Sequence, residues 1–475
     1  MLNQIGVTGA VEMNVATSVV AGLAALAGAG SAHAYFIGSD DTSKIYEEVL
    51  DLDPLTGLLS KEGLERKLAK IVQADPPETS GFERWLLISL EIDALRDINE
   101  IHGAEIGDSV LRVIAQRVRR LVGDLGPVSR IAGSEYAFAV KFKRDDRELH
   151  AVMNAIIDEV ARPVSIDSAT VAVFCTAGVT QIVSQTIEIN KLLRQTKLAR
   201  ANAKAGGLGN WATYHPEMTQ SDRYRKWIET ELVQAIRDND FDLVYQSQVY
   251  SDTGKIAGYE SLLRWKHPTK GIIPPIEFIA VAEQCGLINQ IGNWVIRRVC
   301  EDAHFFDPDV KIAVNVSPKQ LDNPEFVDTL ASILKTYDIK PKRIEIEITE
   351  NVLIGDPNRV RKQFERIRGL GCSIAIDDFG TGYSNLSTLS ELSFCKLKLD
   401  RSFLARYEDR NNSGPLISTV VNLARALDVQ ILAEGVETKD QIAMLNAAGC
   451  TLMQGFAFGK PFTLNRDEVS EEAAA

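Results

Sequence analysis

At 475 residues the chain is long enough for two to four domains with separate cores, and 45% hydrophobic with 25% charged residues is an ordinary globular mixture. A net charge of -13 argues against non-specific binding to a nucleic-acid polymer and leaves a local metal site as the way to gather phosphates. Six cysteines (Cys175, Cys285, Cys300, Cys372, Cys395, Cys450) have no paired spacing, which points to reduced thiols in a cytosolic compartment and away from a disulfide framework or a zinc site.

Residues 13–39 carry no formal charge, and 15–37 are rich in Ala, Val, Leu and Gly over a length that would span a bilayer once. Two readings stand, a membrane anchor or a soluble Ala/Gly-rich extension. Ala32-His33-Ala34 has the form of a signal-peptidase site, but no Lys or Arg precedes the apolar run, which argues against secretion. Basic residues follow at Lys44, Lys61, Arg66 and Lys67, so an anchored chain would keep its remainder in the cytoplasm. Residues 43–50 read as an amphipathic connector, and Asp53-Pro54-Leu55-Thr56-Gly57-Leu58 punctuates a boundary.

Beyond it the periodicity alternates. The pattern predicts a strand over 85–92, a helix with Val110, Leu111, Ile114, Val118 and Leu121 on one face, and a hairpin over 128–140. A helix near 149–160, a strand over 171–180 and a helix ending at Lys204 complete a mixed α/β domain.

Asp53-Pro54-Leu55-Thr56-Gly57-Leu58, Glu91-Ile92-Asp93, Asn99, Gly107-Asp108 and the hairpin Arg130-Ile131-Ala132-Gly133-Ser134-Glu135-Tyr136 together resemble a GGDEF domain, over residues 50–215. That family condenses two GTP molecules into cyclic di-GMP. The resemblance makes Glu91 the counterpart of a metal-binding Asp, puts Asn99 and Asp108 at guanine-recognising positions and matches Lys204 to a phosphate-binding lysine. The signature is degenerate: Ser134 replaces a metal-binding acid, Ala132 replaces the first glycine, and Leu208 stands in place of an arginine. The inhibitory Arg-x-x-Asp site falls on residues 123–126 and is absent. A regulatory or dimerising domain without cyclase activity is expected, with GTP binding left open.

A polar stretch at 216–224 reads as a linker before a helix carrying Trp227, Leu232 and Ile236. Eight strand-like segments follow, at 243–248, 257–265, 312–317, 344–349, 374–379, 396–399, 431–435 and 453–458, mostly separated by helical patterns. This spacing fits a (β/α)₈ TIM-like barrel, whose chemistry sits at the strand C-termini. Gln246, Glu260, Asn315, Glu347, Asp377 with Asp378, Lys398, Glu434 and Gln454 lie within or at the end of these segments, strand by strand. Oxygen donors without His or Cys select hard cations such as Mg²⁺ or Mn²⁺, and converging carboxylates need such ions for neutralisation. A pair of ions would activate water for hydrolysis of a phosphodiester, with Lys398 orienting the water or stabilising phosphate charge.

Gly258-Tyr259-Glu260-Ser261-Leu262-Leu263-Arg264-Trp265, Val314-Asn315-Val316-Ser317, Glu347-Ile348-Thr349-Glu350, Asp377-Asp378-Phe379-Gly380-Thr381-Gly382-Tyr383-Ser384, Lys398-Leu399-Asp400, Glu434-Gly435-Val436-Glu437 and Gln454-Gly455 resemble the EAL phosphodiesterases, over residues 225–463. These open cyclic di-GMP to linear pGpG. The resemblance implies two ions, Mg²⁺ or Mn²⁺: Glu260, Asn315, Glu347 and Asp377 would hold one, with Asp378 and Glu434 serving the second. Lys398 would be the catalytic lysine, and Gln246, Arg264 and Gln454 would contact substrate or the water network. Glu350 and Asp400 would support, Glu350 by holding the loop after Asp378. Ser261 and Ser247 depart from the family pattern without removing a ligand, although the Ser261 hydroxyl is expected to disturb packing near Glu260. A homodimer is implied, and the glycine loop 379–384 is expected to carry regulation to the site. Residues 464–475 read as an acidic, Ala-rich tail.

Overall fold

The structure, a computed structural model, describes residues 51–466 except 76–82, 144–145, 167–168, 184–185, 351, 353–356, 381–388, 390 and 405–412. The apolar stretch 15–37, the connector 43–50, residues 381–384 of the glycine loop and most of the tail lie outside the described residues. Among the described residues no helix is long and apolar enough to cross a membrane. The six cysteines are free, as their spacing suggests. The chain divides into two units, Met1–Gln220 and Ser221–Ala475.

The first unit has strands β1 (Glu83–Asp93), β2 (Val128–Ala132), β3 (Glu135–Lys143), a small hairpin of β4 (Val164–Ile166) and β5 (Ala169–Val171), then β6 (Phe174–Ile182) and β7 (Trp211–Thr213). The main sheet runs β2-β3-β1-β6-β7, which makes β1 its middle strand. Alternation sorts the side chains of β1. Leu86, Ile88, Leu90 and Ile92 pack against Val110, Leu111, Ile114 and Val118 of helix Ala104–Val122 and against helix Asp146–Val160. Trp85 and Leu87 pack on the other face with Leu64, Leu68 and Val72 of helix Lys61–Ala74 and with Ile189 and Leu192 of helix Ile189–Ala205. The same period of two sends Ser89, Glu91 and Asp93 to that second face. Gly178 on β6 lets helix Ile189–Ala205 come close to the sheet, because a Cβ there would collide with the Thr196 carbonyl.

The second unit continues with β8 (Phe241–Tyr250), β9 (Ile256–His267), β10 (Gly271–Ile273), β11 (Lys311–Asn315), β12 (Ile344–Thr349), β13 (Ser373–Phe379), β14 (Lys396–Leu399), β15 (Gln430–Ala433), β16 (Leu452–Gln454) and β17 (Phe462–Thr463). All eight expected strands are present, and they close a barrel because β8 pairs with both β9 and β16. One expectation needs correction. β8 is antiparallel to both neighbours, so the barrel begins with a hairpin turning at 251–255 and not with a strand/helix unit. A connection that short cannot carry the crossover that parallel strands require, and side-chain periodicity holds no record of strand direction. β16 also ends at Gln454, earlier than the segment 453–458 suggests.

Ile344, Ile346 and Ile348 of β12, Ile374 and Ile376 of β13, and Leu397 and Leu399 of β14 join the core shared with Phe364, Ile367, Ile417 and Val421 of the surrounding helices. The residues between them therefore point into the lumen. The stretch 216–224, read as a linker, is helical and opens the helix Pro216–Asp238, whose Ile228, Leu232 and Ala235 belong to the barrel core.

Candidate active site

The lumen-facing positions form two polar layers. In the upper one Lys398, fully buried, points its Nζ at Glu347 Oε2 and Glu434 Oε1 (both 2.7 Å), Asp377 Oδ2 (3.1 Å) and Glu260 Oε1 (3.6 Å). β13 separates β12 from β14, so the pair Lys398 with Glu347 reaches past one intervening strand. Ala375, in register with Glu347 on one side and Lys396 on the other, leaves the room for this crossing. Glu260 is fixed from both sides: Asn315 Nδ2 donates to Oε1 at 2.7 Å, and Gln454 Nε2 donates to Oε2 at 2.6 Å. Gln246, cross-strand neighbour of Glu260, accepts from Gln454 at 3.2 Å and donates to the Gly459 carbonyl at 3.2 Å. Gln246 and Gln454 are both buried, so they brace Glu260 from within the barrel.

Adjacent residues of a regular strand face opposite ways, yet Asp377, Asp378 and Glu434 bring carboxylate oxygens within 4.8 Å of one another. A bulge resolves this. Pairing of β13 with β14 shifts between Ile376 and Phe379, and Asp378 takes φ +54°, a left-handed conformation that Asp tolerates. The Asp378 amide donates to Asp377 Oδ1 at 2.8 Å. Just beyond, Gly380 (φ +91°) donates to Glu350 Oε2 at 2.7 Å, and a Cβ at Gly380 would collide with the Phe403 ring. Asp400 accepts from the Ser402 amide at 3.0 Å.

Electrostatics follow from burial and crowding. Burial works against the Lys398 charge, but Asp377, Glu260, Glu347 and Glu434 outweigh it and hold the ammonium well above the usual lysine range. Burial raises Glu260 less than Lys398, Asn315 and Gln454 lower it, and its carboxyl ends below the usual range. Glu347 goes the other way, pushed well up by burial and by Glu260, Asp377 and Glu345. Burial, then the charges of Asp377 and Asp400, raise Asp378. Glu434 is raised to about 7, chiefly by burial and, against Lys398, by Asp377 and Glu260.

A cavity of about 520 Å³ opens beside this layer, lined by Arg264, Asn315, Ser317 and Thr349 among others. Arg264 is half-buried and donates to the Leu263 carbonyl at 2.9 Å; among the described residues it has no ion-pair partner. Ser261 is accommodated, its hydroxyl donating to the Ala313 carbonyl at 2.7 Å.

Beneath lies a second layer that the sequence reading missed. Lys396, 4% exposed, pairs with Glu345, 1% exposed, and donates to Gln248 Oε1 at 2.9 Å. Gln248 Nε2 faces Glu347 Oε1 at 3.5 Å. The signal was available, since Glu345 precedes Glu347 and Lys396 precedes Lys398 by two, the period of one strand face.

In the first unit, Ala132, Gly133, Ser134 and Glu135 form the β2–β3 turn, and Tyr136 is buried with its hydroxyl donating to the Leu111 carbonyl at 2.7 Å. Arg130 ties this turn to its surroundings, donating to the Gly133 carbonyl (2.7 and 3.0 Å) and to Asp53. Asn99 and Asp108 are exposed, as is Leu208. Glu91 and Lys204 are both engaged in ion pairs.

The family model described as "EAL domain" matches residues 229–461, and that described as "Diguanylate cyclase, GGDEF domain" matches residues 50–210. An uncharacterized signaling protein of Caulobacter vibrioides is 36% identical over 411 residues, 86% of this chain and 50% of the relative. The cyclic di-GMP phosphodiesterase NbdA of Pseudomonas aeruginosa is 30% identical over 416 residues, 87% of this chain and 53% of the relative. The chain thus spans about half the length of these curated relatives. Among solved structures, the S helix-GGDEF-EAL portion of Vibrio cholerae LapD, bound to c-di-GMP, is alike in fold, with a TM-score of 0.52, 21% identity, and coverage of 87% of this chain and 97% of that one.

Proposed function

Because the chain belongs to the proteins that join a GGDEF domain to an EAL domain, we propose that its barrel hydrolyses cyclic di-GMP to linear pGpG, and that its first unit is a regulatory or dimerising domain without cyclase activity. The observation that carries this reading is the upper lumen layer. Fully ionised, Glu260, Glu347, Asp377, Asp378 and Glu434 set five carboxylates against the single ammonium of Lys398, a surplus of four negative charges that two divalent cations would balance. Their donors are all hard oxygens, which suits Mg²⁺ or Mn²⁺. Glu260, Asn315, Glu347 and Asp377 would hold one ion, and Asp378 and Glu434, with Asp377 between the two groups, the other. Among the described residues Gln454 Oε1 is a buried acceptor with no hydrogen-bond partner, which suits a polar site.

Such ions supply an activated water and neutralise charge on the leaving oxygen. The chain does the rest. Lys398 keeps its proton and holds the carboxylates in one layer while presenting a donor to the attacking water or to a phosphoryl oxygen. Arg264, beside the cavity and with no ion-pair partner among the described residues, suits a phosphate of the substrate. Gln246 and Gln454 orient Glu260, and Glu350 holds the backbone of Gly380 next to Asp378. Incubation with cyclic di-GMP and Mg²⁺ or Mn²⁺ is expected to release pGpG. Tight binding without product would instead make the barrel a receptor. GTP alone is expected to yield no cyclic di-GMP.

A further inference from the structure

The acidic cluster of the first unit has a cation of its own. β1 and β3 place Glu91 directly opposite Glu135, and like charges facing across a ladder repel. Arg200, reaching over from helix Ile189–Ala205, sits between them: Nε lies 3.1 Å from Glu91 Oε2, and Nη1 lies 2.9 Å from Glu135 Oε1 and 2.8 Å from Ser89 Oγ. Its side chain is 5% exposed. Four residues on, along the same helix face, Lys204 Nζ lies 2.6 Å from Asp93 Oδ1, while Asp93 Oδ2 accepts from Thr176 at 2.7 Å. Three carboxylates are thus met by two cations and the Thr176 hydroxyl, while the Ser89 hydroxyl accepts from Arg200.

A divalent ion at this place would need the same carboxylate oxygens. It would also face a buried guanidinium, and arginine cannot withdraw its charge by losing a proton. Ser134, at the other metal position of the family, adds no carboxylate. The residues present therefore do not fit the ions that the fold family uses here.

We infer that Arg200 is the permanent counter-ion of this cluster, taking the place of divalent cations and clamping helix Ile189–Ala205 onto β1 and β3. This rests on the reading of the first unit as non-catalytic, and it names the physical reason for that state.

The test uses the full chain carrying Glu260→Gln and Asp377→Asn, which weaken the barrel's own metal site, with Mn²⁺ binding followed by electron paramagnetic resonance. With Arg200 intact, no Mn²⁺ uptake depends on Glu91. Uptake that Glu91→Gln removes would overturn the inference. Adding Arg200→Leu with Ser134→Glu is expected to create a Glu91-dependent Mn²⁺ site and an Mn²⁺-dependent rise in Tm; a folded variant that takes up none would count against it. Arg200→Leu alone should lower Tm by roughly 5–15 °C, and adding Glu91→Gln and Glu135→Gln should recover at least half. A loss that charge removal leaves unchanged would show that Arg200 acts by packing, and the inference would fall. Cyclic di-GMP synthesis from GTP is measured alongside: Glu91-dependent Mn²⁺ uptake without synthesis sinks the counter-ion and spares the non-catalytic reading, whereas synthesis sinks both.

Discussion

In the barrel, one buried ammonium pairs with four carboxylates of a group of five; in the first unit, a guanidinium and an ammonium face three. Both clusters gather acids from several strands, and both meet them with cations from elements distant in sequence. The difference lies in what is left over. The barrel keeps a large negative surplus, which invites mobile cations, while the first unit is nearly balanced by its own side chains. The lesson is that a carboxylate cluster becomes a metal site through its deficit of internal cations, and a single basic residue in the wrong place removes that deficit.

The comparison breaks most sharply at the chemistry. Glu347→Gln is expected to lower cyclic di-GMP turnover by about 10³-fold, read as pGpG by chromatography, while Glu91→Gln in the first unit leaves the barrel reaction in place. If both variants were equally inactive, the two clusters would have to be treated as one.

The lower lumen layer tests the same idea without metal. Lys396→Met strands the buried Glu345 charge and should cost about 3–5 kcal/mol by urea denaturation, whereas Lys396→Met with Glu345→Leu should regain most of it. An additive loss in the double variant would contradict the charge account.

Metal affinity at the barrel should rise by up to about tenfold per pH unit between pH 6 and 7, measured by calorimetry, because the metal-free carboxyl of Glu434, raised to about 7, holds a proton that an ion must displace. The sign for the chelated protein is opposite. Glu434, raised from 4.5 to about 7, contributes stability that is complete below pH 4.5 and lost as pH rises through about 7, so Tm without metal should fall over that window.

Smaller effects sharpen the geometry around the bulge. Gly380→Ala, strained by its positive φ and by Phe403, should destabilise by about 1–2 kcal/mol. Ser261→Ala removes one hydrogen bond and should change stability by about 1 kcal/mol or less, with turnover retained.

Much of the barrel was legible because each strand announces itself by period-two apolar residues ending in a polar one, as Ile344 to Thr349 does. Strand direction was not legible, since Leu243, Tyr245 and the glutamines of β8 alternate identically whichever way the strand runs. The bulge at Asp377 and Asp378 was half legible: two consecutive acids hinted at convergence, but only the pairing with β14 reveals how neighbours come to face one way. Arg200 hid among the buried residues Leu192, Thr196, Ala199 and Ala203, where one charge in an apolar helix face reads as an exposed edge. Its spacing of four from Lys204 was the available clue.

The brace on Glu260 has a consequence for how the protein comes to be. Gln454 and Glu260 stand 194 positions apart, and the hairpin β8–β9 that carries Glu260 is local, whereas β16 must find β8 across nearly the entire unit. Contacts of such long sequence separation bear the largest loop-closure cost and are slow to form. Asn315, on the neighbouring strand β11, is the nearer of the two partners in sequence. The brace of Gln454 on Glu260 is complete only once the last barrel strand closes the ring.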